Sequence, residues 1–307
     1  MKKVVIAGGS GFIGSHLTRR LIARGYDVCI LSRSSAGRVA EEHLSFAEWD
    51  GRNQGPWTSA LEGASAVMNL SGASIGAGRW TDSRKKEIVR SRVDSTLALV
   101  EGMRQAKKPP SVLVNSSGIG YYGDSGDAVM DETGPGGSGF LAETVKQWES
   151  AAAEAESAGV RHVALRTGLV LETKAMALKR MMLPFRLFVG GPIGSGAQWV
   201  SWVHLDDVVD GFLFAAESVS VSGPVNLCSP EPVRMKEFCA ELGRVLRRPS
   251  WIPAPSFALR LLLGEMSELI LTGQRAVPRE LEKAGFRFRY ATIRSALDDL
   301  LGREQQS

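Results

Sequence analysis

The fold of this 307-residue chain is decided by the stretch Gly8-Gly9-Ser10-Gly11-Phe12-Ile13-Gly14. A short apolar run at residues 3–7 comes directly before it, and residues 12–24 follow with apolar side chains at helical spacing. Between a strand and a helix, such glycines permit a tight turn, let the backbone approach a pyrophosphate and let the helix pack on the strand. The stretch therefore predicts a dinucleotide-binding loop. Its expected binding residues are Gly8, Ser10, Gly11, Phe12, Ile13 and Gly14.

Strands and helices alternate along the first half of the chain. Short apolar runs predict strands at 3–7, 27–31, 44–49, 66–70, 111–115 and 161–166, and longer periodic runs predict helices at 12–24, 81–105 and 140–158. This alternation is typical of right-handed βαβ units and of a parallel sheet that is covered on both faces. In the second half we expect a strand at 224–227 and helices at 233–246, 256–263 and 293–301.

The expected fold class is therefore α/β, a Rossmann-type doubly wound parallel sheet with a smaller C-terminal substrate lobe. The Rossmann domain is expected at residues 1–170, completed by sheet segments around 200–230. Residues 171–307 are expected to form a mixed substrate lobe and a helical C-terminal segment.

The composition indicates a globular protein, with 44% hydrophobic and 23% charged residues. The net charge of +4 comes from scattered side chains, whereas a nucleic-acid surface needs a clustered patch, so we expect no nucleic-acid partner. No apolar run approaches about 18 residues, so we expect no membrane partner either. The widely spaced Cys29, Cys228 and Cys239 indicate free thiols in a reducing compartment, with the cytoplasm as the expected location. No cluster of cysteine and histidine has zinc spacing, so no metal is expected.

The end of the second strand distinguishes between the two nicotinamide dinucleotides. An acidic residue about 20 positions after the glycines would hold the ribose 2′-hydroxyl of NAD. This chain has Leu31-Ser32-Arg33-Ser34 there instead. Because an arginine can grip a phosphate at two points, Ser32 and Arg33 favour the 2′-phosphate of NADP (NADPH).

With these features the chain resembles the extended short-chain dehydrogenases/reductases. Residues 8–14 are similar to the opening of that superfamily, and residues 202–208 are similar to the stretch that leads into its substrate lobe. The resemblance implies that Asp50 meets the adenine and that residues at the ends of the fourth and fifth strands contact the cofactor. These residues are Leu70, Ser71, Gly72, Ala73 and Ser116.

A closer resemblance is to one atypical branch of that superfamily. Residues 183–186, 190–196, 273–275 with Pro278, and 285–286 are similar to the nucleoside-diphosphate-sugar epimerase-like proteins. Members of this branch end in a small domain of unassigned function.

The resemblance also implies a Y-x-x-x-K pair, in which the lysine lowers the pKa of the tyrosine and holds the nicotinamide ribose. Lys146 fits the lysine, both as a catalytic and as a cofactor-binding residue, but Ala142 stands in the place of the tyrosine and cannot move a proton. Tyr121 and Tyr122 are the alternative proton donors, and each could instead pack or bind substrate. Ser117 is the candidate that hydrogen-bonds a substrate oxygen.

Two functions fit these residues. The first is an NADP(H)-dependent oxidoreductase or epimerase-like enzyme that transfers hydride to or from a small or nucleotide-linked substrate. The second is a catalytically degenerate NADP(H)-binding sensor or scaffold, which Ala142 favours. We expect the substrate outside the carboxyl ends of the strands. Its candidate contacts are Arg166, Arg186, Gln198, Trp199, Trp202 and His204. The oligomeric state is left open, with a homodimer as the candidate assembly.

Overall fold

The computed structural model describes residues 2–34 and 40–304, apart from the side chains of residues 303 and 304. The strands, in chain order, are β1 (Lys3–Ala7), β2 (Asp27–Ser32), β3 (Leu44–Glu48), β4 (Ala66–Asn69), β5 (Val112–Gly118), β6 (Val129–Met130), β7 (Arg161–Thr167), β8 (Leu169–Leu171), β9 (Trp199–Val200), β10 (Trp202–His204), β11 (Gly223–Leu227), β12 (Val233–Arg234) and β13 (Arg275–Ala276). The α-helices are α1 (Phe12–Ala23), α2 (Asp82–Gln105), α3 (Phe140–Ala153), α4 (Met176–Arg186), α5 (Leu205–Glu217), α6 (Met235–Leu246), α7 (Ser256–Leu263), α8 (Glu268–Leu271), α9 (Arg279–Lys283) and α10 (Ile293–Glu304).

A seven-stranded parallel sheet forms the centre of the protein, in the order β11-β7-β5-β4-β1-β2-β3. The chain builds outward from β1 to β3 on one side and from β4 to β11 on the other, so the strand order reverses between β1 and β4. In open α/β sheets, ligands bind in the crevice outside the carboxyl ends of the strands at this reversal. The doubly wound parallel sheet expected from the sequence is confirmed.

Both faces of the sheet are covered because the buried strands are apolar on both sides. Val4 and Ile6 pack with Leu17 of α1 and Phe212 of α5 on one face. Alternate residues, such as Val5, pack with α2 and α3 on the other face. A separate core joins α4, α6 and α10, with Trp202 of β10 and Phe238 of α6 among its fully buried side chains.

Several element boundaries differ from the sequence predictions, and helices α4 and α5 lie where the sequence predicted no helix. Strand β5 continues to Gly118, so Ser116 and Ser117 lie within the strand and not after it. Helix α3 ends at Ala153 and is followed by a 3-10 segment, Glu154–Ala158. The helix predicted from 233 begins only at Met235, because β12 pairs antiparallel with β9.

The three cysteines are free, as the sequence predicted, and all three are buried. No helix within residues 2–34 and 40–304 is both long and apolar enough to cross a membrane.

The glycine loop fixes the position of α1 on the sheet. Gly8 has a φ of 78°, a conformation that favours glycine. The backbone amide of Gly11 donates a 2.9 Å hydrogen bond to the Gly8 carbonyl. A Cβ added to Gly14 would overlap the Gly8 carbonyl oxygen and lie 2.7 Å from the Cα of Gly9. Because both obstacles are backbone atoms, α1 can approach β1 this closely only with glycine at position 14.

We predict that Gly14→Ala lowers the free energy of unfolding by roughly 3 kcal/mol, because the added methyl group must push the loop away from the helix. Thermal unfolding measures the loss. Gly302→Ala in α10 is the matched control, since a Cβ at that position meets nothing within 4 Å. Equal unfolding temperatures for the two variants would contradict this view of the loop.

Candidate functional site

The N-terminus of α1 is open at the carboxyl end of β1. The helix begins at Phe12 after Gly11, no side chain caps it, and its first turn contains no acidic residue. Ser10, Gly11 and Phe12 are exposed around it. The amide groups of this first turn and the positive end of the helix dipole are therefore available to an anion, which is what a pyrophosphate requires.

The end of β2 presents a hydroxyl and a guanidinium group. Ser32 ends the strand, and its hydroxyl donates a 3.0 Å hydrogen bond to the carbonyl of Ser34. Arg33 follows and is exposed. Since β1 and β2 are neighbours with Ala7 opposite Leu31, these two side chains follow the strand that adjoins the glycine loop.

Asp50 lies exposed in the loop after β3, where it organises its own turn. Its Oδ1 accepts hydrogen bonds from the amides of Arg52 and Asn53, at 2.8 and 2.9 Å, and its Oδ2 accepts one from the Asn53 side chain at 2.6 Å. The backbone hydrogen bonds from Asn53 and Arg52 hold the pKa of this carboxyl below its ordinary value. Asp50 is therefore a fixed, ionised acceptor, and its contact with an adenine stays a prediction.

The segment after β4 lies directly against the glycine loop. A Cβ on Gly8 would lie 2.8 Å from the carbonyl carbon and oxygen of Leu70. Ser71 is held by Asn69, whose Oδ1 accepts the Ser71 amide at 3.1 Å, and the Ala73 amide donates to Ser91 Oγ at 2.9 Å. The segment after β4 is thus held in place by hydrogen bonds beside the uncapped N-terminus of α1. It contains the predicted cofactor residues Leu70, Ser71, Gly72 and Ala73.

Arg92 of α2 is a charged group at this edge that the sequence did not reveal. Its guanidinium donates to the carbonyls of Ala73 and Ile88 at 3.0 and 3.1 Å, and lies 5.0 Å from the ring centroid of Trp148. Burial, and secondarily the charge of Arg84, lowers the pKa of Arg92 to about 10, so it keeps its charge at neutral pH. It adds positive charge beside the glycine loop. No sequence pattern distinguishes it, because it is one of several lysines and arginines in the same helix.

Ser117 belongs to a buried charged network. Its hydroxyl donates a 2.5 Å hydrogen bond to Oε1 of Glu149, and Arg166 donates to both oxygens of the same carboxylate at 2.8 Å. Burial alone would lower the pKa of Arg166, but hydrogen bonding and charge attraction to Glu149 raise it overall. The hydroxyl proton of Ser117 is therefore directed to Glu149 and not to the crevice. Glu149, which was not predicted as a site residue, is the acceptor that unites the network.

Tyr122 is part of the same network and is buried in the core. Its hydroxyl contacts the carbonyl of Asp131 and Oδ1 of Asn226, both at 2.8 Å, and accepts a 3.0 Å hydrogen bond from Arg166. Burial is the main reason why the pKa of Tyr122 is raised to about 12. A buried phenol with three partners and a raised pKa is suited to holding the structure together and poorly suited to exchanging protons.

Tyr121 and Lys146 meet at Gly136. A Cβ on Gly136 would lie 3.1 Å from Tyr121 Oη and 2.8 Å from Cε of Lys146. Lys146 donates to the Gly137 carbonyl at 2.7 Å and pairs with Glu143 at 2.8 Å. The ring of Tyr121 lies 3.5 Å from the guanidinium carbon of Arg166. Of the two predicted tyrosines, Tyr121 is thus the half-exposed one that has a lysine nearby.

Ala142 is 1% exposed, so its methyl group is part of the packed interior of α3. Ser116 lies on β5 next to Ser117, with its side chain on the opposite side of the strand, and it is half-buried.

Three of the predicted substrate contacts have side chains that are buried and bonded to other residues of the chain. Arg166 is 2% exposed and committed to Glu149 and Tyr122. Trp202 is fully buried and donates to the Glu231 carbonyl at 3.1 Å. His204 is 1% exposed, accepts the Asp206 amide at the start of α5, and stacks on Tyr290.

The other predicted substrate contacts lie nearer the surface. Trp199 is half-buried between the guanidinium groups of Arg234 and Arg275, whose carbons lie 4.0 and 4.5 Å from its ring. Gln198 donates to the carbonyls of Ile193 and Ile270 at 3.0 and 2.7 Å, and Arg186 is exposed at the end of α4.

Comparison with known proteins defines the class. The model of the NAD dependent epimerase/dehydratase family matches residues 4–228, and that of a domain of unknown function (DUF1731) matches residues 254–300. The chain therefore belongs to the NAD dependent epimerase/dehydratase family, which confirms the resemblance expected from the sequence.

Individual relatives match nearly the whole chain. It is 40% identical over 299 residues to the chloroplastic epimerase family protein SDR39U1 homolog of Arabidopsis thaliana, covering 96% of this chain and 85% of that protein. It is 38% identical to epimerase family protein YfhF of Bacillus subtilis, over 97% of both chains. The crystal structure of human epimerase family protein SDR39U1 (isoform 2) with NADPH superposes with a TM-score of 0.87 at 32% identity, over 98% of this chain and 99% of the human one. MoeE5 in complex with UDP-glucose and NAD, at 21% identity and a TM-score of 0.78 over 99% of this chain and all of that one, shares the fold.

We predict that Tyr122→Phe destabilises the protein by about 1–3 kcal/mol, because Asn226 and Arg166 lose a buried hydrogen-bond partner. Urea unfolding measures the effect. Tyr121→Phe is the matched control, since it keeps the ring against Arg166 and removes no partner from the core; its stability should equal that of the wild type. A stable Tyr122→Phe protein would show that this hydroxyl is not structural.

Proposed function

We propose that this protein is an NADP(H)-dependent oxidoreductase or epimerase-like enzyme that transfers hydride to or from a small or nucleotide-linked substrate. The observation that carries the proposal is the uncapped N-terminus of α1 beyond Gly11, at the point where the strand order of the sheet reverses. Membership of the NAD dependent epimerase/dehydratase family supports it, as does the relative that was solved with NADPH.

The residues present fit an NADP molecule. The amides of the first turn of α1 would hold the pyrophosphate, and Ser32 with Arg33 would hold the 2′-phosphate. Asp50 and residues 70–73 would border the adenosine half, and the charge of Arg92 would add attraction for the phosphates. When bound, the nicotinamide would supply or accept the hydride.

Side chains of this protein would transfer the proton to or from the substrate oxygen. Tyr121 Oη would give a proton to the substrate oxygen, or take one from it, in place of the tyrosine that is absent at Ala142. Lys146 would orient the cofactor ribose beside it. The pair between Lys146 and Glu143 is partly exposed on one helix face, so little stability is lost when the lysine exchanges it for a ribose hydroxyl. Ser117, held by Glu149, would shape the floor of the crevice.

A second function, an NADP(H)-binding sensor or scaffold without chemistry, is favoured by a specific observation. Ser117 and Tyr122, two of the four predicted catalytic residues, are engaged in the buried network of Glu149 and Arg166. A protein that only binds the dinucleotide needs the glycine loop and Arg33 but not Tyr121. We also propose a cytoplasmic location, which the three free thiols support.

Arg33→Ala is predicted to weaken NADPH binding by roughly tenfold to a hundredfold and to leave NADH binding unchanged, because only NADPH carries the 2′-phosphate. Titration of tryptophan fluorescence with each nucleotide measures both affinities. Arg287→Ala removes an exposed arginine outside the glycine loop and the end of β2, and serves as the control. Equal loss of NADPH affinity in the two variants would refute the assignment of Arg33.

Tyr121→Phe is predicted to lower NADPH-dependent reduction of a carbonyl substrate by about a hundredfold or more, as expected for loss of a general acid. A panel of aldehydes, ketones and nucleotide-linked sugars is screened first with the wild type, following NADPH absorbance. Gln147→Ala, an exposed change on α3, is the control for rate. Tight NADPH binding without turnover of any compound would favour the sensor over the enzyme.

A further inference from the structure

A large apolar surface lies at the C-terminal half of the protein. It is formed by the turn after α4, by the segment that leads into α7, and by α7 itself. Six of its side chains are Leu187, Phe188, Trp251, Phe257, Leu261 and Leu262, and between 54% and 79% of each is exposed. We call these six residues the apolar face. Soluble proteins seldom leave so many large apolar side chains together in water, and such a patch marks an interaction site.

The two segments are joined directly. The amides of Trp251 and Ile252 donate to the Gly190 carbonyl at 2.9 and 3.1 Å, and Trp251 Nε1 donates to the Phe188 carbonyl at 3.0 Å. Beyond this junction, α7 contains no buried residue. Its Phe257, Leu261 and Leu262 are 71–79% exposed, so this short helix leaves most of its apolar surface to solvent.

The charged side chains within the segments that carry the apolar face are basic, and the acidic Glu241 and Glu265 lie directly beside the second segment. Residues 173–205 and 242–264, which carry the face, contain no aspartate or glutamate but eight lysines and arginines. Lys179, Arg247 and Arg260 are exposed among them. Arg244 lies at the edge and pairs with Glu241 and Asp298, and Arg248 lies 4.3 Å from the ring of Phe188.

We propose that the apolar face docks on the surface of an anionic phospholipid bilayer. Exposed leucine, phenylalanine and tryptophan side chains enter the boundary between head groups and acyl chains, and the surrounding cations attract the negative head groups. A second copy of this chain is a poorer fit, because a two-fold contact would bring the basic side chains of the two copies close to each other. The proposal is independent of the enzymatic function. It revises the expectation of no membrane partner, which rested on the length of apolar runs and so addressed only membrane-spanning segments.

Flotation with lipid vesicles tests the proposal. The full chain is mixed with vesicles of phosphatidylcholine alone, or of phosphatidylcholine with phosphatidylglycerol. Binding is expected only to the anionic vesicles, and it should weaken as the salt concentration rises. The tryptophan emission should shift to the blue on binding, and Trp251→Phe should remove most of that shift.

The double variant Leu261→Glu/Leu262→Glu should lose roughly tenfold or more of its vesicle affinity, because it places charge in the apolar layer. Val219→Glu is the matched control, since Val219 is 85% exposed in the turn after α5 and lies outside the face. Both changes are at exposed positions, and circular dichroism checks that the variants fold.

Two results would overturn the proposal. One is absence of binding to anionic vesicles, or binding that the double variant and Val219→Glu retain equally. The other is a dimer in sedimentation experiments that Leu261→Glu/Leu262→Glu dissociates and that anionic vesicles do not disrupt, which would assign the face to a second copy.

Discussion

The structure depends on the close approach of α1 to β1 at the glycine loop. Position 14 has no room for a Cβ, since the Gly8 carbonyl and the Gly9 backbone occupy that space. Because β1 is a central strand, with β2 and β4 on either side, the loop that follows it lies against both neighbours, with Gly9 beside Ile30 and Gly8 beside Leu70. The close contact between α1 and β1 also directs the uncapped N-terminus of α1 toward the crevice at the carboxyl ends of the strands. Folding and the proposed binding of the pyrophosphate thus rest on the same few backbone atoms.

The carboxyl end of β5 is organised by a different constraint, which is the burial of a charge. Arg166 is 2% exposed, and a guanidinium in that environment requires a carboxylate. Glu149 supplies it, and the remaining hydrogen-bonding positions are filled by Ser117 and Tyr122. Two residues that would otherwise be available to a substrate are thereby used for stability. In the proposed enzyme, Tyr121 with Lys146 beside it would therefore carry the proton transfer.

The sequence was most informative where local pattern determines structure. The period of apolar residues predicted β1, α1 and the other sheet strands to within a few residues, and the glycine spacing predicted the loop. It was least informative for contacts between distant positions. Tyr122 meets Asn226 across 104 residues, and Arg166 meets a glutamate on the preceding helix, so neither pairing leaves a local pattern. For the same reason the sequence does not reveal that Arg166, Trp202 and His204, three of the predicted substrate contacts, are buried. The sequence does not distinguish Arg92 from the other basic residues of α2. Only the folded structure shows that its guanidinium lies beside Gly72.

The most direct test of this account is a crystal structure of the protein grown with NADPH. We expect the pyrophosphate at the amides of the first turn of α1, next to Gly11, and the 2′-phosphate at Arg33. NADPH bound elsewhere, or a glycine loop without nucleotide at saturating NADPH, would contradict this expectation. Either of those results would mean that the open N-terminus of α1 serves only the packing of the fold.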